Sequence, residues 1–481
     1  MSSAPTSGSH INVPIARVVL VAATAALGGF LFGFDTAVIN GAVSAIGEQF
    51  STGPFLLGFA VASALIGCAI GAWFAGRIAD RYGRIRVMVI AAILFVASAL
   101  GCGLAFGVWD FSFWRIVGGL GVGAASVIAP AYIAEVSPPE HRGRLGSLQQ
   151  LAIVSGIFVA LLSDAAIVAA AGTATAPWLF GLEAWRWMFI VEVVPAVIYG
   201  VLALTIPESP RYLIARGEMK KAKEVLTRYV GGDVEKVSTD ILKTVEGKSD
   251  RPRFSILRRG RFGLLPIVWV GIGLSVLQQF TGINVIFYYS TTLWQAVGFN
   301  EQDSLTITVI TSVTNIVTTI IAILLIDKVG RKPLLLVGAI GQFLCLAVLT
   351  LMFATATIVD GQPVLEGSSG TIALVAANLY VVFFGATWGP VVWVLLGEMF
   401  SNKIRAVALS VAAAAQWTAN FVISTTFPAL AAVGLGLAYG VYTFFAFVAI
   451  FFVIRFVKET KGRTLESMSE DEPVARVRKA T

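Results

Sequence analysis

Twelve long apolar runs constrain this chain more than any other feature. About 20 consecutive apolar residues carry an α-helix across a bilayer. Runs of that order lie near residues 18–40, 55–76, 87–107, 112–135, 147–168 and 187–206, then near 264–290, 305–326, 334–356, 371–397, 405–430 and 435–456. Of the 481 residues, 57% are hydrophobic and 13% charged. A soluble domain is about 45–50% apolar and about 25% charged, so no soluble core hides this much apolar side chain. Disordered, fibrous and small disulfide-stapled classes are excluded by the same composition. The chain reads as an all-α membrane protein of twelve transmembrane helices, multi-pass in the cell membrane, with the lipid bilayer around it.

Met1 to Pro14 is polar and rich in Ser, Gly and Pro. The apolar run that follows is too long for a signal-peptide core, so it is expected to be retained as a helix. One long polar segment, about Glu208 to Arg261, separates the two groups of six runs. Within it, Met219 to Val230 has helical spacing, with Ala222, Val225, Leu226 and Tyr229 on one side. The expected organisation is a tail over 1–17, a six-helix bundle over 18–206, a helical linker over 207–263, a second six-helix bundle over 264–456 and a tail over 457–481. Alternate connections are basic. They carry Arg77, Arg81, Arg84 and Arg86; Arg142 and Arg144; the linker; Lys328, Arg331 and Lys332; and Lys403 and Arg405. The intervening ones hold Glu48, Asp110, Glu301, Asp303, Asp360 and Glu366, with Arg186 almost alone as a cation. The positive-inside rule places the basic set, and with it both termini, in the cytoplasm. The surplus of 35 Lys+Arg over 28 Asp+Glu is then a topology signal, and no nucleic-acid partner is implied.

The two halves echo each other. Asp80-Arg81-Tyr82-Gly83-Arg84 matches Asp327-Lys328-Val329-Gly330-Arg331. Glu135 with Arg142 matches Glu398 with Arg405, and Pro207-Glu208-Ser209-Pro210-Arg211 matches Lys458-Glu459-Thr460-Lys461-Gly462-Arg463. The three pairs occur in the same order, which points to a duplicated six-helix unit, a known transporter plan. In each D-x-x-G-R loop the glycine permits a sharp turn, while Asp and Arg are free to pair with nearby charges or helix ends. The repeated charges, Arg77, Asp80, Arg84, Glu135 and Arg142 in one half and Asp327, Arg331, Glu398 and Arg405 in the other, are expected to form a cytoplasmic gating lattice. The bland alternative is loop topology without gating.

These motifs carry a resemblance. Gly76-Arg77-Ile78-Ala79-Asp80-Arg81-Tyr82-Gly83-Arg84 resembles the loop signature of the major facilitator superfamily. Pro207-Glu208-Ser209-Pro210-Arg211, Gln278-Gln279-Phe280-Thr281-Gly282-Ile283-Asn284 and Glu459-Thr460-Lys461-Gly462 resemble its sugar porter family, with Lys458 where that family usually has Pro. Both halves are covered, in order. The nearest likeness is to bacterial proton–sugar symporters of the glucose and xylose permease kind, and also to animal facilitative glucose carriers.

A neutral polyhydroxyl ligand needs uncharged donors and acceptors, which amides supply, and a flat apolar face, which Trp supplies. Amides in mid-bilayer are costly unless they face a cavity. The apolar runs hold Gln150, Gln278, Gln279, Asn284, Asn315, Trp393, Gln416, Trp417 and Asn420. Each amide alone is equally well explained by helix–helix hydrogen bonding; the set is not. Gln278 and Asn284 are six residues apart, about 240° around an ideal helix, so a break at Gly282 is expected to turn Asn284 and Tyr288 toward the cavity. The resemblance implies sugar contacts for Gln150, Gln278, Gln279, Asn284, Asn315, Trp393, Gln416 and Trp417, and an outer gate at Tyr288 and Tyr289. Phe30 and Trp388 are further candidates for the cavity lining.

Asp35 lies well inside the first run, where an unpaired carboxylate is expensive. Arg115 in the fourth run is its expected partner, and Glu192 in the sixth is a second buried acid. Asp35 is expected to alternate, pairing with Arg115 when ionised and releasing it when protonated; a static buried salt bridge is the plain alternative. The proton-coupled relatives resemble this chain in carrying Asp here, which implies symport over uniport. Asp164, near the outer end of the fifth run, is expected to face an aqueous vestibule. No charge rings suggest a channel, and no catalytic set or P-loop suggests an enzyme. Gly118 to Gly123 lie inside an apolar run, where they permit close helix packing. His10 lies in the polar tail and His141 in a basic loop, while Cys68, Cys102 and Cys345 lie in apolar runs without CxxC spacing. Free buried thiols are therefore expected, with no metal and no cofactor. The expected function is proton-coupled monosaccharide symport, with D-glucose foremost, carried by a monomer. Uniport, and transport of xylose, another pentose or inositol, stay open as alternatives.

Overall fold

The computed structural model describes residues 14–138, 142–231, 233–246, 257, 263–359, 362–365, 368–400 and 404–461. Among these, twelve helices are long and apolar enough to cross a membrane. In chain order, helices 1 to 6 are Ile15–Gln49, Pro54–Tyr82, Arg84–Gly103, Val108–Val136, Leu145–Ala171 and Ala184–Ala203. Helices 7 to 12 are Pro266–Ala296, Glu301–Ile326, Arg331–Ala354, Ser369–Met399, Val407–Val433 and Leu435–Phe456. Helix 1 extends well past the end of its apolar run and is interrupted at Val38. The polar segment between helices 6 and 7 is helical in part, with Pro210–Ala215, Met219–Val225 and Val234–Glu246. Ala222 of this segment packs on Leu213 and Ile214, with Val225 against them. A departure from pure helix is the short antiparallel hairpin Thr357–Val359 with Gln362–Val364.

The chain divides into two compact units. One comprises Met1–Arg251, Phe287–Gln295 and Phe299–Val313; the other comprises Pro252–Ile286, Ala296–Gly298 and Thr314–Thr481. Helices 7 and 8 are therefore each split between the units.

Within the first unit, glycines let helices approach backbone to backbone. A Cβ on Gly67 of helix 2 would lie 2.1 Å from the Ile116 carbonyl, and one on Gly119 of helix 4 would lie 1.9 Å from that of Ala64. Helices 1 and 5 meet the same way, Gly33 at 1.9 Å from Ile153 O and Gly156 at 2.0 Å from Phe30 O. In lipid, where apolar burial drives no helix association, such close van der Waals packing is what holds helices together. The three cysteines are free and buried inside their helices.

The turn between helices 2 and 3 is the single residue Gly83, and helix 8, which stays helical to Val329, joins helix 9 through Gly330 alone. Gly83 has φ 98° and ψ 164°, and Gly330 has φ 103° and ψ 165°. That region of backbone space is open essentially to glycine alone. A Cβ on Gly83 would also lie 2.2 Å from Glu208 Oε2, and one on Gly330 2.8 Å from Glu459 Oε2. Gly83→Ala is expected to cost about 1–3 kcal/mol and to lower the thermal unfolding midpoint of the purified protein. Gly146→Ala is the control. Nothing lies within 4 Å of its Cβ position, it is in a helix, and it is expected to be neutral or slightly stabilising.

Candidate functional site

Helix 7 is broken where the sequence places the break. It runs over Pro266–Phe280, then resumes at Ile283–Ala296. Gly282 has φ 86°, and a Cβ there would lie 2.6 Å from the Tyr442 ring. The break carries Asn284 back toward Gln279. Asn284 Nδ2 donates to Gln279 Oε1, Gln279 Nε2 donates to Gln278 Oε1 at 3.3 Å, and Gln278 Nε2 donates to the carbonyls of Trp388 at 2.8 Å and Gly389 at 3.3 Å. Three of the expected amides thus form one chain, which ends on a wide π-type turn of helix 10, Phe384–Trp388. Such turns widen a helix and free carbonyls for outside donors.

The same turn seats a fourth amide. A Cβ on Gly385 would lie 3.1 Å from Asn315 Oδ1 and 2.3 Å from Thr318 Oγ1, so helix 8 presses Asn315 on a glycine of helix 10. On helix 11, Gln416 and Trp417 are half-buried, and Gln416 Oε1 is buried with no hydrogen-bond partner. Asn420 is buried and accepts from Ser424 Oγ at 3.0 Å. Trp393 is 41% exposed. Trp388 corrects an expectation. It is fully buried in the apolar core of the second unit, and its Nε1 donates to the Leu335 carbonyl at 2.8 Å, so it lines no cavity. The ring is too large and apolar for helix 10 to leave in water when a core position is open.

In the first unit, Gln150 is half-buried on helix 5 and Phe30 half-buried on helix 1. Gln149, which sequence reasoning passed over, is buried with both amide atoms unpartnered. Its side chain lies 2.6 Å from where a Cβ of Gly29 would be. The adjacent pair Gln149-Gln150 was the available signal. Tyr288 and Tyr289 are buried on the part of helix 7 that belongs to this unit. Next to them, Asn40 of helix 1 grips that segment. Its Nδ2 donates to the Phe287 carbonyl at 3.0 Å, and its Oδ1 accepts from Thr291 N at 3.3 Å and from Thr291 Oγ1.

Asp35 and Arg115 form a buried ion pair, Nη1 to Oδ1 at 3.1 Å, with side chains 1% and 2% exposed. Arg115 Nη1 also donates to the Asp35 carbonyl at 2.8 Å. Asp35 Oδ2 and Arg115 Nε have no partner. Gly118 makes room for the pair, since a Cβ there would sit 3.0 Å from Asp35 Oδ1. Glu192 is fully buried, and neither of its carboxyl oxygens has a hydrogen-bond partner. Asp164 corrects a second expectation. It is fully buried, away from any vestibule, because Gly41 of helix 1 has no side chain to hold helix 5 off; Gly41 N donates to Asp164 Oδ2 at 3.3 Å.

The repeated charges build the same network twice. In the first unit Arg84 clamps Glu135 through Nε and Nη2, both at 3.0 Å, and its Nη1 donates to Ala79 O at 3.2 Å. In the second, Arg331 clamps Glu398 at 3.0 and 2.7 Å and donates to Ile326 O at 3.1 Å. Glu208 accepts the backbone N–H of Arg84, Ile85 and Ser209, while Glu459 accepts those of Arg331, Lys332, Thr460 and Lys461. Each carboxylate thereby caps the start of a helix, where N–H groups lack partners. Ser209 Oγ and Thr460 Oγ1 close the two networks on Glu135 and Glu398, each at 2.5 Å. Asp80 joins Arg84 at 3.3 Å, and the Arg77 guanidinium lies over the Trp73 ring. The side chains of Arg142, Asp327 and Arg405 lie outside the described residues, as does His141. The sequence groups these charges without assigning partners; among the described residues each Glu is held by the Arg of the glycine turn.

A family model described as "Sugar (and other) transporter" matches residues 21–471. The chain is 62% identical over 469 residues to a Synechocystis protein named "Glucose transport protein", covering 97% of this chain and 99% of that one. It is 38% identical over 477 residues to the "D-xylose-proton symporter" of Escherichia coli, covering 92% and 93%. The solved inward-open structure of the E. coli xylose transporter superposes with a TM-score of 0.77 at 36% identity, covering 95% of this chain and 99% of that one.

Burial pushes the Glu459 carboxyl up, but the backbone N–H groups of Lys461, Arg331, Lys332 and Thr460 together outweigh it and hold the carboxyl below its ordinary range. A carboxyl lowered on folding stabilises the fold above its unfolded value and loses that contribution as pH falls through the folded one. Thermal unfolding followed from neutral to acid pH is expected to show a smaller acid-induced drop for Glu459→Gln than for the parent protein, with the variant less stable at neutral pH.

Proposed function

Because the chain belongs to the sugar transporter family, we propose that it carries a monosaccharide, D-glucose foremost, across the cell membrane together with protons, by alternating access. The family and the relatives are transporters. The name of the Synechocystis relative supports glucose, and that of the E. coli relative supports proton coupling. On this reading the basic loops and the linker face the cytoplasm, and a single copy suffices.

The amides Gln150, Gln278, Gln279, Asn284, Asn315 and Gln416 meet the sugar hydroxyls. Trp393 and Trp417 offer flat faces to its C–H surface. The internal chain Asn284–Gln279–Gln278 keeps those amides satisfied in the absence of sugar and hands its donors over when sugar enters. Tyr288 and Tyr289 close over it. The two networks centred on Arg84–Glu135 and Arg331–Glu398, with Arg77, Asp80, Arg142, Asp327 and Arg405 around them, are rigid when assembled and open the cytoplasmic side when they part.

The observation that carries proton coupling is the Asp35–Arg115 pair, buried and yet incomplete, with one carboxyl oxygen and the guanidinium Nε unsatisfied. A buried pair stabilises only when its remaining hydrogen bonds are met. Protonation of Asp35 releases Arg115, and the neighbouring Glu192 takes part in that exchange. Asp35→Asn is expected to abolish sugar accumulation and to leave counterflow of labelled sugar across vesicles; undiminished accumulation would refute the coupling role. Uptake of a panel of hexoses, pentoses and inositol by cells lacking their own sugar carriers, with and without an uncoupler, tests substrate and coupling together. Gln416→Ala, which removes one amide, is expected to raise the KM for the preferred sugar about tenfold, the worth of roughly 1.4 kcal/mol or one good hydrogen bond, with protein levels unchanged.

A further inference from the structure

Asp164 is an acid that the reading above does not use. It lies on helix 5 within a membrane-spanning helix, fully buried. Oδ2 receives one backbone N–H, that of Gly41 at 3.3 Å, and Oδ1 receives nothing. No charged side chain among the described residues pairs with it from the elements around it. On helix 1, Asp35 is held by Arg115, and Glu48 is exposed. On helix 4, Asp110 accepts from Phe106 N and Trp114 Nε1, and Glu135 is clamped by Arg84. At helix 6, Arg186 holds Glu183 and the carbonyls of Gly103 and Ala105, and the oxygens of Glu192 bond to nothing. Tyr288 and Tyr289 of helix 7 are buried in the same unit. With a single N–H partner, an ionised carboxylate costs far more in such a place than the neutral acid.

The position matters as much as the chemistry. Gly41 lies in the first turn of the segment of helix 1 beyond the Val38 interruption, Ile39–Gln49. A Cβ on Gly41 would lie 2.9 Å from both Cβ and Oδ2 of Asp164. The preceding residue is Asn40, which holds Phe287 and Thr291 of helix 7. Ser44, one turn on, meets Thr292 Oγ1 at 3.3 Å and donates to Gln295 Oε1 at 3.1 Å. One short segment of helix 1 therefore lies on Asp164 with one side and grips the outer part of helix 7 with the other.

We propose that Asp164 is a second proton-binding site of this carrier, occupied while Ile39–Gln49 is docked on helix 5 and emptied when that segment lifts. On lifting, water reaches the carboxyl, which gives its proton to water and becomes an anion. On docking, the anion takes one proton back from water at the same face and is again the neutral acid. The docked segment holds Phe287 and Thr291, so release of helix 7 at this end of the protein is tied to the state of Asp164. The proposal rests on the transport reading above, and it requires a proton site beyond Asp35.

The test is exchange of labelled sugar in proteoliposomes, with equal sugar and equal pH on both sides, for the parent protein, Asp35→Asn, Asp164→Asn and the double variant. A carboxyl that must be reprotonated to redock slows exchange as pH rises, by at most about tenfold per unit beyond its titration point. Between about pH 6 and about pH 9, exchange by Asp35→Asn is expected to fall about fivefold or more, and by the double variant less than about twofold. An alkaline decline equal in Asp35→Asn and the double variant overturns the proposal. So does a parent protein without such a decline, or an Asp164→Asn variant slowed by the same factor at every pH. If Asp35→Asn exchanges no sugar, the coupling reading fails separately, and the parent against Asp164→Asn decides the role of Asp164. If Asp164→Asn does not fold, Gly41→Ala decides it. That added Cβ loosens the docking and is expected to move the decline to lower pH; an unmoved decline in folded Gly41→Ala overturns the proposal.

Discussion

Hydrocarbon offers no hydrogen bonds, and the structure follows from that one deficiency. A polar group inside such a helix needs a partner within the protein or water in a cavity, and most of the described ones have a partner. Hydroxyls settle the matter locally. Thr24 bonds back to the Leu20 carbonyl, Ser112 to that of Val108 and Thr318 to that of Thr314. Amides reach further, and the chain from Asn284 to the carbonyls of helix 10 exists because the Gly282 break and the wide turn at Phe384–Trp388 expose groups that regular helix would consume. Against so thorough a settlement the exceptions stand out. Among them, Asp35, Glu192, Asp164, Gln149 and Gln416 each keep an unmatched polar atom in the interior, as do Ser275 and Gln342. On the proposed transport reading, a sugar hydroxyl or a proton completes these atoms part of the time.

The charged networks obey the same rule at the membrane boundary. Glycine turns bring two helices so close that their N–H groups need an acceptor, and the carboxylate of Glu208 or Glu459 supplies it. The Arg that follows the glycine then reaches sideways to Glu135 or Glu398. The two copies agree to a few tenths of an ångström, although the sequences that make them differ: Pro207-Glu208-Ser209 in one, Lys458-Glu459-Thr460 in the other. What is repeated is a carboxylate followed by a hydroxyl, and that is the chemistry the turn requires. Lys458 in place of Pro changes neither.

The helices, their number and the duplication were legible in the sequence because hydrophobic length and charged motifs are local signals. The Gly282 break was legible because two amides that an ideal helix would not put on one face called for one. Partner choice was less legible. The motif spacing grouped the charges but named no partners, and Glu135 bonds Arg84, fifty-one residues earlier; a pairing across helices is set by the fold, and no local count reveals it. Asp164 misled for a related reason. Its place near a helix end suggested water, and only the missing side chain of Gly41 on another helix closes it in. Trp388 was read by type, a ring suited to sugar, while its position on the inner side of a widened turn committed it to the core.

Backbone contact through glycine has a mechanical consequence. Two helices that touch at Gly33 and Gly156, or at Gly67 and Gly119, are keyed together like meshed gears. They cannot slip along one another by part of a turn without first separating. Such pairs behave as stiff beams, and compliance is left to the joints where the helical ladder is interrupted, at Val38, at Val191 and Glu192, at Gly282 and at the wide turn of helix 10. A thinner or thicker bilayer would therefore tax the joints, and the beams would ride through it unchanged.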